Sequence, residues 1–113
     1  MSRATDRERD LKADLDWLVG RIRDGYEPEK IILFGSLARG ETHEWSDIDL
    51  IIVKDTDAHY GQRVKELLPM LRGRLVGADI VIYTPEEYER GKQARWGLVR
   101  DVERDGRVLY ERC

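Results

Sequence analysis

Apolar Leu11, Leu15, Leu18 and Ile22 recur at steps of three and four among charged positions, which predicts an amphipathic helix over residues 5–24, closed by Gly25. Tyr26, Glu27 and Pro28 make a short connection, because proline drives the residue before it out of helical geometry. Apolar runs at residues 31–34, 48–53 and 78–83, the last two each carrying one acid, predict three strands. Between the last two, residues 54–60 are polar and turn-like, and Val64, Leu67, Leu68 and Leu71 mark a second helix. Pro69 removes a helical hydrogen bond there, so the helix kinks or restarts. Gly73 and Gly77 bracket its exit.

Thr84-Pro85-Glu86-Glu87 reads as a capping box with proline at the first helical position, starting a helix that ends near Gly91. A further helix is expected over residues 93–104, with Leu98, Val99 and Val102 inward. Asp105-Gly106 is a turn signal, and residues 107–111 alternate like a short edge strand. Helices and strands alternating in this way predict the α/β (α+β) class: a mixed β-sheet with helices packed on it. The 113 residues suit one small domain, 1–113, with one core and no room for a second lobe. There is no internal repeat and no low-complexity tract.

The candidate chemistry lies around the first two strands, in IILFGSLARGETHEWSDIDLIIV. The first run ends at Gly35-Ser36, where a glycine leaves backbone N–H groups uncovered, and a nest of such groups cradles phosphate oxygens. The second run carries Asp47 and Asp49 at its entrance; at i and i+2 they share a face, within reach of one cation. In the loop between, residues 36–40 begin a short helix whose N-terminus faces the turn and favours an anion. His43 reads as an ordinary loop histidine; Ser46 turns the chain into the strand, and Trp45 packs against it. Asp79, inside ADIVIY, is the other informative acid. An unpaired carboxylate buried in an apolar strand costs several kcal/mol or shifts its pKa upward, so Asp79 either sits at an exposed strand end or serves a site.

Charge narrows the partners. With 20 Lys and Arg against 23 Asp and Glu the formal net charge is −3, which disfavours bulk nucleic-acid binding while leaving room for a local basic patch. No stretch has the apolar core of a signal peptide or the ~20 apolar residues of a membrane span. The one cysteine, Cys113, permits neither an internal disulfide nor a thiolate metal site, and the expected location is cytoplasmic.

Gly35-Ser36, ten residues, then Asp47-Ile48-Asp49 resembles the glycine-serine and Asp-x-Asp signature of the DNA polymerase β-like nucleotidyltransferases. The wording GSLARGE followed by SDIDL is most similar to the minimal nucleotidyltransferase (MNT) branch, many members of which act as antitoxins beside a HEPN-domain toxin. The resemblance implies a transferase that moves a nucleoside monophosphate, AMP from ATP or another nucleoside triphosphate, to an acceptor hydroxyl. It implies two Mg²⁺ ions held by Asp47, Asp49 and Asp79, Asp79 matching the third acid that the family carries on the neighbouring strand. It assigns the triphosphate to Gly35 and Ser36, adds Arg39 and Ser46 as nucleotide-binding candidates, and makes a HEPN-type helical toxin protein the acceptor. The oligomeric state is open.

Three other readings stand beside this one. The chain is a non-catalytic antitoxin that covers its toxin, or it transfers nucleotides to a small molecule or RNA in a pocket completed by another subunit. Least favoured is a Ca²⁺-binding or purely structural acidic turn, which leaves Gly35-Ser36 and Asp79 as coincidences.

Overall fold

The computed structural model describes residues 3–41, 47–71 and 78–112, the backbone alone over 3–8. The apolar runs are strands: β1 (Lys30–Phe34), β2 (Ile48–Val53), β3 (Ala78–Tyr83), joined by β4 (Arg107–Glu111). Among the described residues the helices are α1 (Arg3–Tyr26), α2 (Gly35–Arg39), α3 (Tyr60–Leu67), α4 (Pro85–Ala94) and α5 (Gly97–Asp105), with a 3-10 turn at Leu68–Leu71. The strands form one mixed sheet in the order β3-β2-β1-β4, with β1 antiparallel to β2 and β4 and with β2 parallel to β3. This is the mixed α+β architecture expected from the sequence.

The sheet is covered on both faces. On one, Leu11, Leu15, Leu18 and Ile22 of α1 pack with Ile31, Leu33, Leu50 and Ile52, joined by Leu37, Ala38 and Leu67. On the other, Tyr88 of α4 and Val99 and Val102 of α5 pack on Ile32, Ile51 and Val53. β2 is therefore buried on both sides, which is why its sequence from Leu50 on is a continuous apolar run of mainly β-branched residues. β4 departs from simple alternation: a bulge between Ile31 and Ile32 on its partner strand leaves Leu109 as an extra residue, so Leu109 and Tyr110 both pack against the α1 side.

Several boundaries differ from the sequence expectation, each for a local reason. α1 runs through Gly25 to Tyr26, and Glu27 takes the left-handed turn at φ 52°. Lys54 Nζ donates to the carbonyls of Tyr26 (2.6 Å) and Glu27 (3.3 Å), satisfying the helix end. Gly25 is a contact residue: a β-carbon there would strike the Met70 thioether. α3 starts at Tyr60, earlier than its apolar residues mark, because His59 Nδ1 accepts from the Gln62 N–H. Past Leu67 the chain tightens into the 3-10 turn that contains Pro69, and Leu68 is exposed. α4 continues past Gly91 to Ala94, with Arg95 left-handed at φ 57°, so α5 begins only at Gly97. Gly91 is buried where Trp96 and Val99 crowd it. The capping box at Thr84 and Glu87 is present as expected. His43, Trp45, Ser46, Gly73, Gly77 and Cys113 lie outside the described residues.

Candidate active site

Strand direction gathers the site. β1 ends where antiparallel β2 begins, with Phe34 opposite Asp49, and parallel β3 begins beside it, with Asp49 level with Asp79. Residues level with each other on neighbouring strands present their side chains to the same face. Asp49 and Asp79 thus stand side by side on the α4–α5 face of the sheet, which Ile51 and Val81 continue. Asp47, one residue before β2, is exposed at the rim.

Burial pushes the Asp49 carboxyl up to about 6; the charge of Asp79, then that of Asp47, and a hydrogen bond shared with Asp79 add to the shift. The Arg39 charge pulls the other way. Carboxylates crowded in this manner retain a proton unless a cation takes its place. The donors are oxygens only, the chemistry that Mg²⁺ prefers. Among the described residues no group of three His, Cys, Asp or Glu side chains is gathered closely enough to hold a metal ion. An open pair of carboxylates with a third at the rim suits Mg²⁺, which completes its shell with waters and phosphate oxygens.

Gly35 is what allows the corner. Its φ of +76° disfavours any side chain, and a β-carbon would overlap Asp49 Oδ2. α2 starts at this residue, and Phe34, in the capping position, offers no side-chain acceptor to the first N–H groups of the helix. Ser36 follows in the first turn of α2, and its carbonyl accepts from the Glu41 N–H at 2.9 Å. Arg39 ends α2, its Nε donating to Glu41 Oε2 at 3.1 Å.

The structure thus brings Gly35, Ser36, Asp47, Asp49 and Asp79 to one end of the sheet, with Arg39 near enough to influence Asp49. Ser46 lies outside the described residues. Asp79, the second residue of β3, is exposed, as one of the two readings of the sequence has it, and its register with Asp49 also brings it to the site. Sequence reasoning overlooked Glu41, the partner of Arg39, although the ARGE string places it two residues on.

A small mixed sheet covered on both faces, with a glycine corner beside paired acids, is the frame of a nucleotide-transferring enzyme. The nucleotidyltransferase domain family matches residues 15–76, more than half of the chain, taking in Gly35, Ser36, Asp47 and Asp49 and stopping short of Asp79. The chain belongs to this family and is a nucleotidyltransferase, with a nucleoside triphosphate as its class of substrate. It is 40% identical over 91 residues to a candidate protein adenylyltransferase of Methanocaldococcus jannaschii, covering 80% of this chain and 81% of that one. The crystal structure of a candidate nucleotidyltransferase from Sulfolobus solfataricus shares the fold, with a TM-score of 0.70 at 20% identity over 99% of this chain and 90% of the other. No helix among the described residues is long and apolar enough to cross a membrane.

Proposed function

We propose that this enzyme transfers AMP from ATP to a hydroxyl of a partner protein, and that the partner is a helical toxin of HEPN type for which the chain serves as antitoxin. The observation that carries the transfer chemistry is the level pairing of Asp49 and Asp79 beside the Gly35 corner. The assignment of the Methanocaldococcus jannaschii relative as a candidate protein adenylyltransferase supports a protein acceptor. The MNT-like wording of GSLARGE and SDIDL supports the toxin as that acceptor.

In this reading Asp47, Asp49 and Asp79 hold two Mg²⁺ ions, whose chemistry when bound is to neutralise charge at the phosphates and polarise phosphoryl oxygens. The backbone at Gly35 and Ser36 receives the β- and γ-phosphates, and Arg39 and Ser46 add contacts to the nucleotide. The acceptor oxygen bonds to the α-phosphorus as the bond to the β-phosphate oxygen breaks. Pyrophosphate leaves, and the hydroxyl proton passes to a neighbouring carboxylate. Asp49 keeps its strand position through the reaction because Leu50 and Ile48 on either side of it are fully buried.

Incubation of the protein with Mg²⁺, α-labelled ATP and the candidate toxin tests this. Label on the toxin that disappears when Asp47 and Asp49 are both changed to Asn is the expected result. Toxin inhibition that survives the double change, with no label transferred by the unaltered protein, makes the chain a binding antitoxin instead. Label on RNA ends or a small molecule, and on no protein, reassigns the acceptor.

A further inference from the structure

Among the described residues β3 is an edge strand, and they close only half of its outer side. Both backbone polar groups of a strand residue point to the same side, and successive residues alternate. The Tyr83 carbonyl, turned toward β2, accepts from the Lys54 N–H at 2.8 Å, so Ala78, Ile80 and Ile82 turn theirs outward. At Ile82 both outward groups are taken by α3: the N–H donates to Tyr60 Oη at 3.3 Å and the carbonyl accepts from Arg63 Nη1 at 3.3 Å. Ala78 and Ile80, which flank Asp79, have no such cover from the described residues.

We infer that this open stretch is where the acceptor docks, as an extended segment of the partner protein that pairs antiparallel with β3 at Ala78 and Ile80. The inference rests on the protein-acceptor reading above and gives that acceptor a place. Two residues of the incoming segment exchange N–H and carbonyl bonds with Ala78 and Ile80, and the residue between them stands opposite Asp79. That central position is a non-hydrogen-bonded pair, the closer kind, at about 4.5 Å between α-carbons. Its side chain emerges on the face that carries Asp79 and Asp49, which puts a Tyr, Thr or Ser hydroxyl beside the paired acids. The Tyr60 and Arg63 plugs at Ile82 stop the pairing from sliding toward the far end of the strand. A second copy of this chain suits the edge poorly, since antiparallel pairing of two β3 strands brings two Asp79 carboxylates together.

The test uses the whole protein and a synthetic peptide, Thr-Val-Tyr-Val-Thr, with a copy N-methylated at both valines. Without ATP, the peptide is expected to slow hydrogen exchange at the Ala78 and Ile80 amides by at least tenfold, while the methylated copy leaves it unchanged. With Mg²⁺ and α-labelled ATP, Ile80→Pro and Ala78→Pro are each expected to cut peptide labelling at least tenfold while keeping the thermal shift given by ATP and Mg²⁺. Each removes one outward N–H, and an edge strand tolerates proline on that side. Ile80 and Ala78 both pack against the core, the alanine with only a methyl group, so Ala78→Pro gives up less packing than Ile80→Pro for the same lost hydrogen bond. Unprotected amides, or proline variants that label the peptide at the original rate, overturn the docking site. So does protection that appears with protein concentration alone, which means a second copy holds the edge. Protection without any transfer of label upholds the docking and overturns the transfer reading.

Discussion

The Asp49 carboxylate occupies the space that a β-carbon on Gly35 would fill. The glycine corner and the acid pair therefore meet at one atom-to-atom contact, and neither can be altered without the other. Gly35→Ala forces a left-handed residue at φ +76° to carry a side chain, a strain of about 1–3 kcal/mol, and also displaces Asp49. A shift of ~1 Å at a reacting group lowers turnover by about 10²-fold. The expected result is a variant that melts somewhat lower and loses at least that much transfer activity. Retention of full activity by Gly35→Ala would show that Asp49 need not sit where it does.

A second expectation concerns pH and the metal-free protein. The Asp49 carboxyl is raised from 3.8 to about 6 in the fold, so the folded state binds its proton more tightly than the unfolded chain does. The favourable contribution is then complete below the unfolded value, and stability falls as pH rises between about 4 and 6. Above that window the ionised group costs the fold about 1–2 kcal/mol, after solvent screening at this half-exposed position. Asp49→Asn removes the cost. Without divalent ions the variant is expected to be the more stable protein at pH 7.5 and roughly equal at pH 4, while losing transfer. Denaturant melts at the two pH values check the crossover, and an Asn variant less stable at pH 7.5 contradicts it.

Asp79→Asn separates chemistry from stability. The residue is exposed on an edge strand, so the change is expected to alter stability by no more than ~0.5 kcal/mol. Turnover is expected to vanish. The Asp49 pKa is expected to fall, because the Asp79 charge is among the causes that raise it, and to stay above 3.8, because burial is the largest of them. Carboxyl NMR titration of the variant reads this directly, and an unmoved Asp49 would mean that the two acids do not interact.

The acid cluster was legible because its two halves carry local signals: a glycine that ends an apolar run, and two acids spaced by two at the start of another. Asp79 was legible as an oddity within an apolar strand, exposed or serving a site, but the edge position of that strand was not, since strand order is not encoded in ADIVIY. Gly25 and Gly91 read as helix stops because glycine is a poor helix former, whereas the fold uses both to let a neighbour approach: Met70 at one, Trp96 and Val99 at the other. Those neighbours lie 45 residues away in the first case and close by in the second, and only the long-range contact was beyond any local reading. The Arg63–Glu87 pair was likewise hidden, joining helices separated by a strand.

That pair yields the last expectation. Arg63 is 7% exposed, and it donates to Glu87 (Nη1 to Oε1, 2.7 Å), to the Ala58 carbonyl (2.8 Å) and to the Ile82 carbonyl (3.3 Å). Glu87 serves twice, since its Oε1 also accepts from the Thr84 N–H in the capping box. Arg63→Ala leaves these acceptors without their donor and is expected to cost about 3–5 kcal/mol. Glu87→Gln keeps an acceptor for the cap but leaves Arg63 without its counter-charge, and is expected to cost about 1–3 kcal/mol at this partly exposed site. The hydrogen bond from Arg63 holds the Glu87 carboxyl below its ordinary 4.5, so its contribution is present above that value and is lost as pH falls through the folded pKa. The stability gap between the original protein and Glu87→Gln should therefore be wide at pH 7 and close as pH falls below 4.5 and through the lowered folded value. A gap that is independent of pH would mean that the cap, and not the ion pair, carries the effect.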